Sequence, residues 1–130
     1  MTTPNLGTRL ATLLTLAALL VLLFPAMASA GDAAAGKPVF QANCSSCHGM
    51  TGKGDGPVGA ALTPPPRDFT KGDFKYDTDG DGTPGSDADL KAVITKGALA
   101  YGGSPLMAPW PTLTAAQIDD IVAYIRSLKQ

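Results

Sequence analysis

The chain has 130 residues, with 11 acidic side chains against 10 basic ones and a formal net charge of −1 at pH 7. This length accommodates one small domain rather than two domains with separate cores. No basic run is long enough to neutralise a row of phosphates, so nucleic acid is not an expected partner. The chain contains only two cysteines, which excludes a framework of several disulfides.

The first 30 residues have the features of a secretory signal peptide. Arg9 supplies a positive charge, residues 10–24 form an uninterrupted, mostly apolar run, and Ala28-Ser29-Ala30 offers small side chains for cleavage. An uncleaved anchor is the alternative, but a run of about 15 residues is shorter than the roughly 20 that a membrane-spanning helix needs. We therefore predict a cleaved signal peptide over residues 1–30, and an exported domain over residues 31–130 that is not inserted in a membrane.

A helix is expected in the segment that leads from Gly31 to Asn43. Pro38 lacks the N–H group that a helix interior needs. The helix therefore begins near Lys37, with Pro38 in its first turn, or it is kinked at the proline. Of these two arrangements, the late start is the prediction.

The next five residues, Cys44-Ser45-Ser46-Cys47-His48, have the spacing CxxCH. Two thiols almost one helical turn apart can form thioethers with the vinyl groups of a haem, while the adjacent imidazole reaches the iron. A structural zinc site is one alternative, but it would need a carboxylate as fourth ligand. A thioredoxin-like dithiol is another, but it needs a βαβ setting and no strand pattern is evident. We therefore predict one covalent haem c, attached through Cys44 and Cys47 and ligated by His48.

Irregular backbone is predicted after the motif. The segment from Gly49 to Pro57 contains four glycines and a proline, and Thr63-Pro64-Pro65-Pro66 continues as stiff, extended chain. Such a loop lets backbone approach a ligand closely, and a flexible linker is the alternative.

A second loop is rich in aspartate. Asp77, Asp79 and Asp81, followed by Gly82, match the first half of an EF-hand loop, but Ala88 stands where the bidentate Glu should be. Two alternatives follow for this loop. Asp77, Asp79 and Asp81 bind calcium weakly, or the loop is a solvated acidic turn built from Asp-Gly pairs.

Two further helices carry clear boundary signals. Ser86 is an N-cap with Asp89 at the third helical position, and Gly97 ends that helix. Thr114 and Gln117 form a capping box before the last helix. The last helix has an apolar stripe of helical period, made by Ile118, Ile121, Val122, Ile125 and Leu128.

The sixth position of the iron can be assigned by elimination. His48 is the only histidine, so a second imidazole from the same chain is excluded. Met1 and Met27 leave with the signal peptide, and Met50 is too close to His48 to reach the opposite haem face. We therefore predict Met107 as the second axial ligand, with a lysine ligand or an open iron as the alternatives.

The sequence resembles the class I, single-haem c-type cytochromes over essentially all of residues 31–130. It is most similar to a bacterial subgroup that reads Gly-Xaa-Gly-Asp-Gly-Pro after the haem motif, then Pro-Arg-Asp-Phe, then Met-Xaa-Pro-Trp. Here these are Gly52 to Pro57, Pro66 to Phe69, and Met107 to Trp110. The resemblance implies a small all-α fold, with three to four helices around one covalent haem and long loops rich in Gly and Pro.

The resemblance also implies roles for individual residues. Gly36, Phe40 and Tyr124 would form the crossing of the first and last helices. A proline carbonyl would accept a hydrogen bond from the proximal histidine, and Pro57 is the candidate, with Pro64 or Pro65 as alternatives.

The function that this reading predicts is one-electron transfer in the periplasm, with other redox proteins as donor and acceptor. The protein would be a soluble carrier and not an enzyme. The first alternative is a haem-bearing subunit of a larger dehydrogenase or reductase complex. The second is a haem enzyme or gas sensor, which would need an open iron with titratable groups above it.

Overall fold

The structure is a computed structural model that describes residues 30–130, and no strand occurs within this range. The predicted signal peptide therefore lies outside the described residues, apart from Ala30. The four α-helices of the described residues confirm the predicted all-α fold; they are α1 (Ala33–Asn43), α2 (Ser45–His48), α3 (Asp87–Lys96) and α4 (Ala115–Ser127). Short 3-10 helices occur at Gly59–Ala61, Phe69–Lys71 and Ala98–Tyr101. Within residues 30–130, no helix has the length and apolar character needed to cross a membrane.

The late start predicted for the first helix is wrong, because α1 begins at Ala33. The Asp32 carboxylate accepts hydrogen bonds from the N–H groups of Ala34 (2.7 Å) and Ala35 (3.4 Å), which caps the helix. Pro38 therefore lies inside the helix, where one backbone hydrogen bond is missing. The cap and the packing of the helix outweigh that loss.

Helices α1 and α4 cross in direct backbone contact. A Cβ atom on Gly36 would overlap the carbonyl oxygen of Asp120, so only glycine fits at the crossing. One turn further along α1, the ring of the fully buried Phe40 lies 5.2 Å from the ring of Tyr124. These contacts confirm the crossing implied for Gly36, Phe40 and Tyr124.

The last helix supplies most of the core. Its N-terminus has the predicted capping box, in which the Thr114 hydroxyl accepts from the Gln117 N–H and the Gln117 side chain accepts from the Thr114 N–H. The predicted apolar stripe faces inward, and the buried residues of α4 are Ile118, Ile121, Val122, Tyr124 and Ile125.

Helix α3 packs on α4, and two ion pairs link them. The Lys91 ammonium lies 2.6 Å from the Asp119 carboxylate, and the Arg126 guanidinium lies 2.8 Å from the Asp87 carboxylate. Both pairs are partly exposed, so they fix the relative position of the helices more than they stabilise the fold. Gly97 ends α3 in a positive-φ conformation (φ 78°), as predicted.

A buried carboxylate closes the aspartate-rich loop. Asp89 is only 1 % exposed, and it accepts hydrogen bonds from the N–H and hydroxyl of Thr78 and from the N–H and hydroxyl of Ser86. These bonds, those from Thr78 above all, hold the pKa of Asp89 far below its ordinary value. Asp89 is therefore an anion that joins the start of α3 to the loop before it.

Replacing Gly36 by alanine tests the helix crossing. Alanine normally stabilises a helix interior by roughly 1 kcal/mol relative to glycine. At this position the new methyl group must displace the α4 backbone, so we expect Gly36→Ala to lower the free energy of unfolding by about 1–3 kcal/mol. Chemical denaturation of the haem-loaded protein measures the change. Ala35→Gly, on the exposed face of the same turn, measures how much the helix propensities of alanine and glycine alone change the stability. A Gly36→Ala protein that is more stable than wild type would contradict the close crossing.

Candidate haem site

The residues of the CxxCH motif and Met107 line one cleft. The cleft is bordered by Cys44, Cys47 and His48, and also by Met107 and Trp110 from the loop after α3. The remaining lining is largely apolar and includes Phe40, Phe69, Ile94, Leu106, Ile121 and Ile125. The structure thus brings Met107, which lies 59 residues after His48, to the same cleft as the three predicted site residues of the CxxCH motif.

The motif forms a single helical turn directly after α1. The Cys44 N–H donates to the Phe40 carbonyl (2.7 Å), and the His48 N–H donates to the Cys44 carbonyl (2.9 Å). Cys44 and Cys47 form no disulfide with each other, and both are half-buried. The orientation of the motif therefore follows from the position of α1.

The glycine-rich loop after the motif packs against the motif itself. A Cβ atom on Gly56 would overlap the Ser46 carbonyl oxygen, and one on Gly59 would overlap the Cys47 carbonyl oxygen. The close backbone approach in this segment is to the carbonyl groups of the CxxCH turn. A close approach of the loop to a ligand stays a prediction.

The His48 ring is held by the segment after the proline run. Its Nδ1 atom lies 3.4 Å from the carbonyl oxygen of Arg67, and the Phe69 ring stacks on it at 4.6 Å with an interplanar angle of 20°. When Nδ1 carries the proton and donates to this carbonyl, Nε2 keeps its lone pair for a metal. Burial lowers the pKa of His48, which favours the neutral imidazole that ligation needs. The predicted acceptor, Pro57, is therefore wrong, as are Pro64 and Pro65, and the acceptor is the carbonyl of the residue that follows Pro66.

Part of this arrangement has a local signal in the sequence. Pro66 restrains the backbone just before Arg67, and the Asp68 carboxylate accepts from the Thr70 N–H to cap the 3-10 helix that carries Phe69. The Phe69 N–H also donates to the Gly52 carbonyl (2.7 Å). Local capping thus predicts a fixed backbone here, but the neighbour of His48 depends on tertiary contacts.

The cysteines are poorly placed for the alternative zinc site. Burial, together with the neighbouring Cys47, raises the pKa of the Cys44 thiol to about 11, whereas zinc binds thiolates. Among residues 30–130, the only three potential ligand side chains whose ligand atoms lie within 4.8 Å of one another belong to Asp77, Asp79 and Asp89. The CxxCH residues do not form such a group.

Backbone hydrogen bonds fix the segment that carries Met107. The Ala98 N–H donates to the Met107 carbonyl (3.0 Å), and the Trp110 N–H donates to the Ile94 carbonyl (3.0 Å). The Met107 N–H donates to the Ser104 carbonyl (3.2 Å). The Met107 segment is therefore attached to the C-terminal end of α3 and to Ala98 just beyond it, through Met107 itself and through Trp110.

In the aspartate-rich loop, the carboxylates cap the backbone. Both oxygens of Asp77 accept N–H groups, from Gly80 and Asp81 at one oxygen and from Gly82 at the other. Asp81 accepts from the Thr83 N–H. The close group formed by Asp77 and Asp79 includes the buried Asp89 and not Asp81, so the structure differs from the predicted ligand set.

Comparisons with known proteins agree with this architecture. The family model described as Cytochrome c matches residues 33–129. The chain is 40 % identical over 103 residues to cytochrome c-554(547) of Halothiobacillus neapolitanus, an alignment that covers 77 % of this chain and all of that protein. It is 35 % identical over 98 residues to cytochrome c6 of Rippkaea orientalis, covering 75 % of this chain and 72 % of that protein.

A solved structure shares the fold. It is a chain of the Kuenenia stuttgartiensis reducing HAO-like protein complex Kustc0457/Kustc0458, with a TM-score of 0.61 and 34 % identity. The similarity covers 73 % of this chain but only 41 % of the other, so the present chain spans less than half of that protein.

The helices define a small all-α domain with one cleft that is lined by both cysteines of the CxxCH motif. Together with the family match, they show that the chain belongs to the cytochrome c family and is a class I c-type cytochrome. Haem c is the cofactor of this family, and single-electron transfer is its activity. The cleft fits a haem, since it combines two thiols, an imidazole and a thioether with apolar walls.

Proposed function

We propose that the protein is a one-electron carrier in which Cys44 and Cys47 hold the haem through thioethers, while His48 and Met107 ligate its iron. The observation that carries this proposal is the presence of all four side chains on the lining of one cleft. The haem supplies a metal centre that gains and loses one electron. The chain's own residues bind it, orient it and keep water away.

The protein contributes three effects to that activity. The Arg67 carbonyl and the Phe69 ring orient the imidazole of His48. Buried side chains such as Phe40 and Ile121 exclude water from the cleft. The thioether of Met107 favours the reduced iron, which raises the reduction potential.

Replacing Met107 by alanine tests the ligand and separates a carrier from a haem enzyme. We expect the wild-type ferrous protein to bind little carbon monoxide at neutral pH, because Met107 occupies the sixth coordination position of the iron. Met107→Ala should raise carbon monoxide affinity by about tenfold or more and lower the reduction potential. A spectroscopic carbon monoxide titration and a redox titration measure these two effects.

Met50→Ala is the matched control, since the Met50 side chain is 57 % exposed at the surface. It should leave both quantities unchanged. Ready binding of carbon monoxide by the wild-type protein would contradict a closed iron and favour the enzyme or sensor alternative.

We further propose that the protein works in the periplasm after removal of residues 1–30. The support is the predicted signal peptide and the absence of a membrane-spanning helix within residues 30–130. Its partners there would be redox proteins that meet the exposed part of the cleft through a small, transient interface, typically below about 1,200 Å².

The intact mass of the purified protein under denaturing conditions tests processing and haem attachment together. The expected mass is that of residues 31–130 plus one haem, because thioethers survive denaturation while axial ligands do not. A Cys44→Ala/Cys47→Ala protein should lose the haem mass. The mass of all 130 residues would contradict cleavage, and loss of haem from the wild-type chain would contradict covalent attachment.

A second candidate is an electron-transfer subunit of a stable redox complex. The similarity to part of the Kuenenia complex favours it. The side chain of Leu106, on the cleft lining, is also 63 % exposed. Gel filtration of the protein from its native periplasm separates the two, since a free carrier elutes alone and a subunit elutes with its partner.

Weak calcium binding at Asp77, Asp79 and Asp81 stays a prediction. Both oxygens of Asp77 already accept backbone N–H groups, which favours the alternative of an acidic turn. If calcium binds, calorimetric titration at millimolar concentration should show saturable heat that Asp79→Asn reduces. If the wild-type protein shows no heat of binding, the calcium hypothesis is rejected and the loop is a solvated acidic turn.

A further inference from the structure

We infer that Tyr76 is a positioning residue for the sixth ligand of the iron, because it braces the loop that carries Met107. This inference rests on the proposed ligation by Met107. Tyr76 lies between the 3-10 helix Phe69–Lys71 and the aspartate-rich loop, and it is half-buried.

The first contact in the brace is between Tyr76 and Gly103. A Cβ atom on Gly103 would overlap the Tyr76 hydroxyl oxygen, so this hydroxyl group lies against the glycine with no room between them. The φ of Gly103 is not in the positive region that favours glycine. Glycine is therefore required here by the close approach of Tyr76 and Ala98 and not by the backbone angle.

The second part of the brace runs from Gly103 to Met107 through Ala98. The Gly103 N–H donates to the Ala98 carbonyl (2.8 Å), and the Ala98 N–H donates to the Met107 carbonyl (3.0 Å). Ala98 is only 5 % exposed, so these bonds are shielded from water. The contact between Tyr76 and Gly103 is thus linked to the Met107 backbone through Ala98, which bonds to both Gly103 and Met107.

Tyr76 can act as a brace only because its own position is fixed. The Gly85 N–H donates to the Tyr76 carbonyl (2.9 Å), which closes the aspartate-rich loop at its base. Two residues later, Thr78 is bound by the buried carboxylate of Asp89. The Lys75 ammonium lies 5.1 Å from the centre of the Tyr76 ring and covers one of its faces.

The consequence concerns the fraction of molecules in which Met107 has left the iron. A small ligand can bind only to those molecules, so its apparent affinity rises in proportion to that fraction. Weakening the brace should therefore raise carbon monoxide affinity and lower the reduction potential, although Tyr76 would not touch the iron.

The test uses Tyr76→Leu in the haem-loaded protein, with Tyr101→Leu as the matched control from the 3-10 helix Ala98–Tyr101. We expect Tyr76→Leu to raise carbon monoxide affinity by roughly three- to tenfold, to lower the potential and to weaken the ferric absorption band of the thioether ligand. Tyr101→Leu should change these quantities much less. Thermal unfolding of each protein ensures that the measurements are made on folded molecules.

Gly103→Ala provides a second variant that acts from the other side of the same contact with Tyr76 intact. Like Tyr76→Leu, this variant should raise carbon monoxide affinity and lower the reduction potential. The inference fails if both Tyr76→Leu and Gly103→Ala match wild type, or if Tyr101→Leu has an effect as large as theirs. If Met107→Ala opens the iron while these variants do not, only the brace is refuted; if Met107→Ala has no effect, the ligand assignment fails as well.

Discussion

The backbone contact between α1 and α4 is the constraint on which the haem site depends. At Gly36 the two helices touch without an intervening side chain, and the Asp32 N–H donates to the Asp120 carboxylate (2.7 Å) at the start of the same contact. Helix α1 runs on into Cys44, so any change in its position moves both thiols and the imidazole. The core thus determines where the haem is attached, and the attachment turn needs few contacts of its own.

The other side of the site is positioned through the same helix. Helix α3 is linked to α4 by Lys91 with Asp119 and by Asp87 with Arg126, and the end of α3 holds the Met107 segment. Both proposed iron ligands are therefore located relative to α4, one through α1 and the other through α3. This common reference explains how a short helical domain with long loops can hold two ligands at a fixed separation.

Features encoded by neighbouring residues could be predicted from the sequence. The CxxCH turn, the caps at Ser86 and Thr114 and the stop at Gly97 each depend on side chains within a few positions of the element. The α1–α4 crossing came from family resemblance, since nothing local at Gly36 indicates which backbone will approach it. Combining local signals with that resemblance was enough for the fold and for the four candidate haem residues.

The wrong predictions concern features that depend on contacts with residues distant in sequence. Pro38 is tolerated within α1 because α4 packs against the helix, and this contact is not visible in the residues around the proline. The Asp32 cap, in contrast, is a local signal for the earlier start. The carbonyl group that faces His48 belongs to Arg67 because the loop after the proline run is closed by Gly52 and Phe69, which lie far apart in sequence. The contact of Tyr76 with Gly103 is of the same kind.

All eleven acidic residues of the chain are aspartates, and their short side chains are used mainly to bind nearby backbone. Asp32, Asp68, Asp77, Asp81 and Asp89 all accept N–H groups from their own neighbourhood. These hydrogen bonds are short-range and little affected by ionic strength. At Asp68 and Asp89 they also lower the pKa of the carboxyl group. The stability that these two carboxylates provide is therefore present above the ordinary carboxyl pKa and is lost as the pH falls through the lowered one. A cytochrome built in this way tolerates brine better than acid.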